Sequence, residues 1–95
     1  MITAIVLVTA ATSRIPEVAQ ALADLEGVSE VYSVAGDMDL IALVRVHDFD
    51  DIAAVVAGRI NKLPGVLDTA THVAFRAYSR HDLEGAFSIG FEPAD

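Results

Sequence analysis

The tetrapeptide Leu25-Glu26-Gly27-Val28 returns 38 residues later as Leu63-Pro64-Gly65-Val66, each time where a helical period gives way to a strand-like one. A chain of 95 residues has room for two such junctions and little else, so the echo points to a duplicated strand, helix, strand unit. In the first unit, residues 2–9 are apolar on both alternating faces, with Ala4, Val6 and Val8 on one and Ile5 and Leu7 on the other, which predicts a strand covered on both sides. From Ile15 the apolar residues Ile15, Val18, Ala19, Leu22 and Leu25 follow a helical stripe. Ser13 is placed to cap that helix, Pro16 fits its first turn, and Gly27 supplies the left-handed residue that ends it.

Residues 28–35 and 40–46 read as the two strands of a central hairpin, and Asp48 or Asp50 caps a second helix striped by Ile52, Val55, Val56, Ile60 and Leu63. Pro64-Gly65 stops it, and residues 66–78, rich in Thr, Val and aromatics, form a last long strand. The order βαββαβ is α+β and ferredoxin-like, a four-stranded antiparallel sheet with two helices on one face. Residues 1–95 are one domain. Within it, Leu83, Phe87, Ile89 and Phe91 are too apolar for a free tail, so residues 81–95 are expected to form a docked extension.

The sheet face away from the helices is apolar as well, and 54% hydrophobic residues exceed what so small a domain hides in itself. At about 25 cal/mol per Å² of buried apolar surface, a second copy of the same sheet is the natural cover, which predicts a face-to-face homodimer. No apolar run approaches the roughly 18–20 residues of a membrane span, and no secretory signal precedes the first strand, so the expected location is cytoplasmic with no membrane partner. The absence of cysteine excludes disulfide and thiolate chemistry. Fourteen acidic against six basic residues give a net charge of -8, and the six (Arg14, Arg45, Arg59, Lys62, Arg76, Arg80) are scattered, which argues against direct nucleic-acid binding.

Catalytic sets are missing from the pattern. His47, His72 and His81 have no metal-ligand spacing, no serine sits in a nucleophile turn, no glycine-rich phosphate loop occurs, and Tyr32 and Tyr78 read as packing residues. No enzyme, metal or cofactor is therefore expected. What stands out is the hairpin tip Gly36-Asp37-Met38-Asp39, where a second carboxylate stands at the foot of an apolar strand. Both carboxylates read equally as solvated turn residues. As a site, Asp37 or Asp39 would meet an ammonium group and backbone N–H groups near Gly36 a carboxylate, with Thr69 and Thr71 as companions. His72 is either a satisfied core histidine or a donor that, with Thr71, reads the ligand's side chain.

The ordered set Val34-Ala35-Gly36-Asp37-Met38-Asp39-Leu40, Leu63-Pro64-Gly65-Val66 and Thr69-Ala70-Thr71-His72-Val73 resembles the effector-binding (RAM) domain of the Lrp/AsnC transcriptional regulators, over about residues 2–80. The resemblance implies dimerisation through the sheets in a dimeric α+β barrel type of assembly, association of dimers up to an octamer, and an amino-acid effector bound in clefts between dimers. Carried over by position, Gly36, Asp37 and Asp39 would form the binding turn, and Thr71, His72 and Val73 the strand lining the cleft. His72 stands where some members carry a larger aromatic residue. With no room for a helix-turn-helix domain ahead of it, the chain resembles the stand-alone members, whose partner would be a full-length Lrp/AsnC regulator. The alternative is a dimeric α+β barrel enzyme, monooxygenase- or isomerase-like, acting on a small aromatic substrate through His72 or Tyr32.

Overall fold

The computed structural model describes residues 1–78 and residue 80. Its elements are β1 (Ile2–Ala10), α1 (Ile15–Ala23), β2 (Val28–Ser33), β3 (Leu40–Val46), α2 (Phe49–Gly58) and β4 (Val66–Ala74), with short 3-10 turns at Thr12–Arg14 and Ile60–Lys62. The strands form one antiparallel sheet in the order β2-β3-β1-β4, the ferredoxin-like arrangement expected from the duplicated unit. No helix among the described residues is long and apolar enough to cross a membrane.

Alternation along the two central strands sets the layers. Ala4, Val6, Val8 and Ala10 of β1 and Leu40, Ala42, Val44 and Val46 of β3 are buried beneath the helices. Val18 and Leu22 of α1, Ile52 and Val55 of α2, and Ile60 of the following turn close the core. Among the described residues no polar or charged side chain is buried. Ile5, Leu7, Ile41 and Leu43 point the other way and stay half-buried, so the described residues pack helices on only one face of the sheet.

The repeated tetrapeptides prove to be matched turns. The Val28 N–H donates to the Leu25 carbonyl at 3.2 Å and the Val66 N–H to the Leu63 carbonyl at 3.2 Å. Gly27 and Gly65 hold φ of 96° and 94°, the positive value that the third residue of a type II turn requires. Each turn rests on the other half of the chain. An added Cβ on Gly27 would lie 2.7 Å from Cγ2 of Val55 in α2, and one on Gly65 would lie 2.7 Å from Cγ2 of Val18 in α1. The backbone repeats the crossing: Arg45 N–H donates to the Gly27 carbonyl at 2.9 Å and Ala11 N–H to the Gly65 carbonyl at 2.8 Å.

Element ends depart from the sequence reading. Ser13 lies inside the 3-10 turn, Arg14 takes the cap position of α1, and no side chain caps that helix. Asp48 occupies the extended cap position of α2 without a side-chain bond, and Asp50 falls in the first turn. The second helix stops at Gly58, and Ile60 reaches the core from the 3-10 turn. Strand β2 ends at Ser33 and β4 at Ala74, because Ala74 already pairs with Thr3 near the beginning of β1 and no partner strand continues beyond it. The expected docked extension of residues 81–95 lies outside the described residues.

Candidate functional site

The hairpin connection is closed by the Val34 N–H donating to the Asp39 carbonyl at 3.0 Å, which projects residues 35–38 from the end of the sheet. Asp39 is held from inside. Its N–H donates to the Val8 carbonyl at 3.0 Å, and its Oδ2 accepts from the Ala10 N–H at 2.9 Å. The Ala10 N–H points to the β3 side and lies past the beginning of β3 at Leu40, whereas the next N–H, of Ala11, bonds to Gly65 beside β4. The Asp39 carboxylate there takes the place a strand carbonyl would have had. Replacing it by alanine leaves a part-buried donor without that partner, so Asp39→Ala is expected to cost about 1–3 kcal/mol in urea unfolding. Asp39→Asn, which keeps an acceptor oxygen, is expected to recover most of the loss.

Asp37 is exposed and unlike Asp39 faces a cleft of about 120 Å³ on the open side of the sheet. Leu7, Met38 and Ala70 supply apolar walls, while Thr9, Asp37 and Asp68 supply polar groups. Asp68 is brought there by register, as the cross-strand partner of Thr9. Among the described residues no Lys, Arg or His lines this cleft, and its two carboxylates make the local field negative. Gly36 stands at the tip with nothing within 4 Å of an added Cβ, leaving the turn backbone open to approach.

The residues expected from the last strand do not converge with this turn. Thr71 pairs with buried Val6 and Val73 with buried Ala4, so both turn toward the helices. His72 pairs with Ile5 and faces the open side. Thr71 instead lines a separate apolar groove against α2. Thr69 lines the acidic cleft, and its hydroxyl bonds to Oδ1 of Asn61 at 2.7 Å. Sequence reasoning missed Thr9 and Asp68; period-two alternation would have put Asp68, Ala70 and His72 on one face and Thr69, Thr71 and Val73 on the other.

The remaining polar candidates lie elsewhere. Tyr32 is exposed on the open face, and its hydroxyl donates to the Glu30 carboxylate, which raises its pKa above that of an ordinary tyrosine and keeps it protonated. Tyr78 is exposed with the Arg76 guanidinium 5.9 Å from its ring centroid. His47 lines a cleft of about 340 Å³ at the far end of the sheet, where Arg59 donates to the Glu26 carbonyl at 2.7 Å.

Residues 3–83 match the model of the Lrp/AsnC ligand binding domain. TTHA0845 from Thermus thermophilus is a solved structure 48% identical to this chain, with a TM-score of 0.79 over 84% of this chain and 100% of its own. An uncharacterized HTH-type transcriptional regulator of Pyrococcus horikoshii is 39% identical over 59 residues, 62% of this chain and 39% of the regulator. The chain thus spans about two fifths of the length of the first curated relatives it matches, which are named as regulators. A transcriptional regulator of Neisseria meningitidis, solved as a complex with L-Met, shares the fold at a TM-score of 0.74 with 15% identity, over 83% of this chain and 53% of that one.

Proposed function

We propose that this chain, which belongs to the Lrp/AsnC ligand-binding-domain family, is a non-catalytic sensor that binds a small amino acid at the Gly36–Asp37 end of its sheet and responds through assembly. The observation that carries the reading is the small cleft lined by both Asp37 and Asp68, with no basic side chain among its described lining residues. An ammonium group about 4 Å from one carboxylate gains roughly 4 kcal/mol at an effective dielectric near 20, before desolvation. Thr9 is a further polar contact for the ligand, and Leu7, Met38 and Ala70 suit a short aliphatic part. In this reading Asp39 supports the turn and Asp37 touches the ligand. His72, Thr71 and Val73 contribute through a neighbouring subunit or not at all.

The open sheet face supports a homodimer, and the cleft at its rim is where further dimers would meet, up to an octamer. A full-length Lrp/AsnC regulator is the proposed partner, whose DNA binding the sensor adjusts by joining its assembly. The relatives named as transcriptional regulators point away from an enzyme. Thermal-shift screening of the full chain against the twenty amino acids tests the reading: a ligand at a hundredfold excess over its Kd stabilises by about 2.7 kcal/mol. One or a few amino acids are expected to raise the Tm, and Asp37→Ala to abolish the rise while leaving the ligand-free Tm nearly unchanged. A Tm indifferent to all twenty, or a ligand shift intact in Asp37→Ala, overturns it.

A further inference from the structure

We propose that the cleft at the far end of the sheet, lined by Arg45, His47 and Arg59, is a second small-molecule site, one that takes a carboxylate or phosphate group. Its position follows from the duplication. A shift of 38 residues carries the Leu7–Ile41 pair of β1 and β3 onto the Arg45–Thr3 pair of the same two strands, so the sheet has an internal two-fold axis. That axis takes Leu7 and Thr9, the β1 residues of the acidic cleft, to Arg45 and His47 at the end of β3. One end of the sheet thus sets carboxylates around its cleft, and the equivalent corner at the other end sets two arginines and a histidine.

Both arginines are anchored to successive carbonyls of the Gly27 turn. Arg59 Nη1 donates to the Glu26 carbonyl at 2.7 Å, and the Arg45 backbone N–H donates to the Gly27 carbonyl at 2.9 Å. Only one donor of the Arg59 fork is spent in this way, and the Arg45 guanidinium is not used by its anchor at all. Among the described residues neither arginine forms an ion pair. In a chain of net charge -8, this is a place where an oxyanion meets forked, charge-assisted donors in place of repulsion.

The cavity, about 340 Å³, has the size of a small-metabolite site, and Val46, Ala54 and Val55 give it apolar walls. Glu26 and Asp51 line it as well, outside ion-pair distance of both arginines. These carboxylates disfavour a bare anion and favour one that also brings a hydroxyl donor, as a hydroxy acid or a phosphate monoanion does. The site is independent of the acidic cleft and of what binds there.

Amide NMR spectra of the full chain, titrated with inorganic phosphate and separately with glycolate at constant ionic strength, test the site. Saturable shifts are expected at Gly27, Arg45, His47 and Arg59, and the tighter of the two probes tells which oxyanion the cleft takes. Arg45→Gln and Arg59→Gln are each expected to raise the Kd of that probe by about tenfold or more, while Arg76→Gln leaves it the same. Arg59→Gln also removes the bond to the Glu26 carbonyl, so Arg45→Gln, whose anchor is backbone, separates binding from the stability of the turn. No shifts with either probe, shifts spread equally over Arg14, Lys62 and Arg76, or an unchanged Kd in Arg45→Gln each overturn the proposal.

Discussion

Gly65→Ala and Gly27→Ala are each expected to lower folding stability by about 2–4 kcal/mol, read from urea unfolding at constant m-value. Two costs add. A residue with a Cβ held at φ near 95° loses about 1–2 kcal/mol against the right-handed alternatives. The new methyl also lies 2.7 Å from a valine methyl of the opposite helix, an overpacking worth about 1–3 kcal/mol. For a domain whose whole stability is of the order of 5–14 kcal/mol, either change is severe. Gly58→Ala is the control: its Cβ meets nothing within 4 Å and it ends α2 without a positive φ, so the substitution is expected to be neutral or stabilising by up to about 1 kcal/mol. Adding Val18→Ala to Gly65→Ala relieves the contact but leaves the backbone cost, so the double variant is expected to lose less than the two single losses combined. A loss below about 1 kcal/mol in Gly65→Ala would show that the turn can reshape around the methyl.

Ile5→Glu is expected to reduce the proposed face-to-face dimer to the 10.0 kDa chain, measured by sedimentation. Ile5 sits mid-strand on the open face, between Leu43 of β3 and His72 of β4, while its neighbours Ala4 and Val6 face the closed core. The carboxylate therefore remains in water in a single chain, and the circular dichroism of the fold is expected to stay the same. In a face-to-face dimer it enters an apolar interface twice, once from each copy, without a counter-charge. An increase of about a thousandfold in the dimer dissociation constant corresponds to roughly 4 kcal/mol, well within that penalty. Retention of the original mass by Ile5→Glu would place the interface on another surface.

What the sequence could and could not reveal follows from the range of the forces involved. Strands β1 and β3 announce themselves because alternate burial of Val6, Val8, Ala42 and Val44 is a local pattern, and the turns at Gly27 and Gly65 because their chemistry is carried by four consecutive residues. Helix starts were less legible: Ser13 has the right chemistry for a cap, yet the chain spends it inside a 3-10 turn. The end of β4 at Ala74 is set by where β1 begins, a fact of register absent from the residues around Ala74. The site divides in the same way. Its turn was visible as a hairpin tip, whereas the bond from Ala10 to Asp39 depends on where β3 begins along β1, and Asp68 enters only through its pairing with Thr9. His72 and Thr71 are adjacent in sequence and opposed in space, which strand alternation alone could have separated.

The crossed turns make each half of the chain depend on the other. Gly27 answers to Val55 and Gly65 to Val18, so each half carries the groove that the other half's turn must fit. Neither turn can drift alone: a larger residue at either glycine needs a smaller one on the opposite helix as well as a new backbone shape. A fragment holding only the first repeat would present Val18 and Gly27 without their counterparts, and a fragment holding only the second would present Val55 and Gly65 in the same condition.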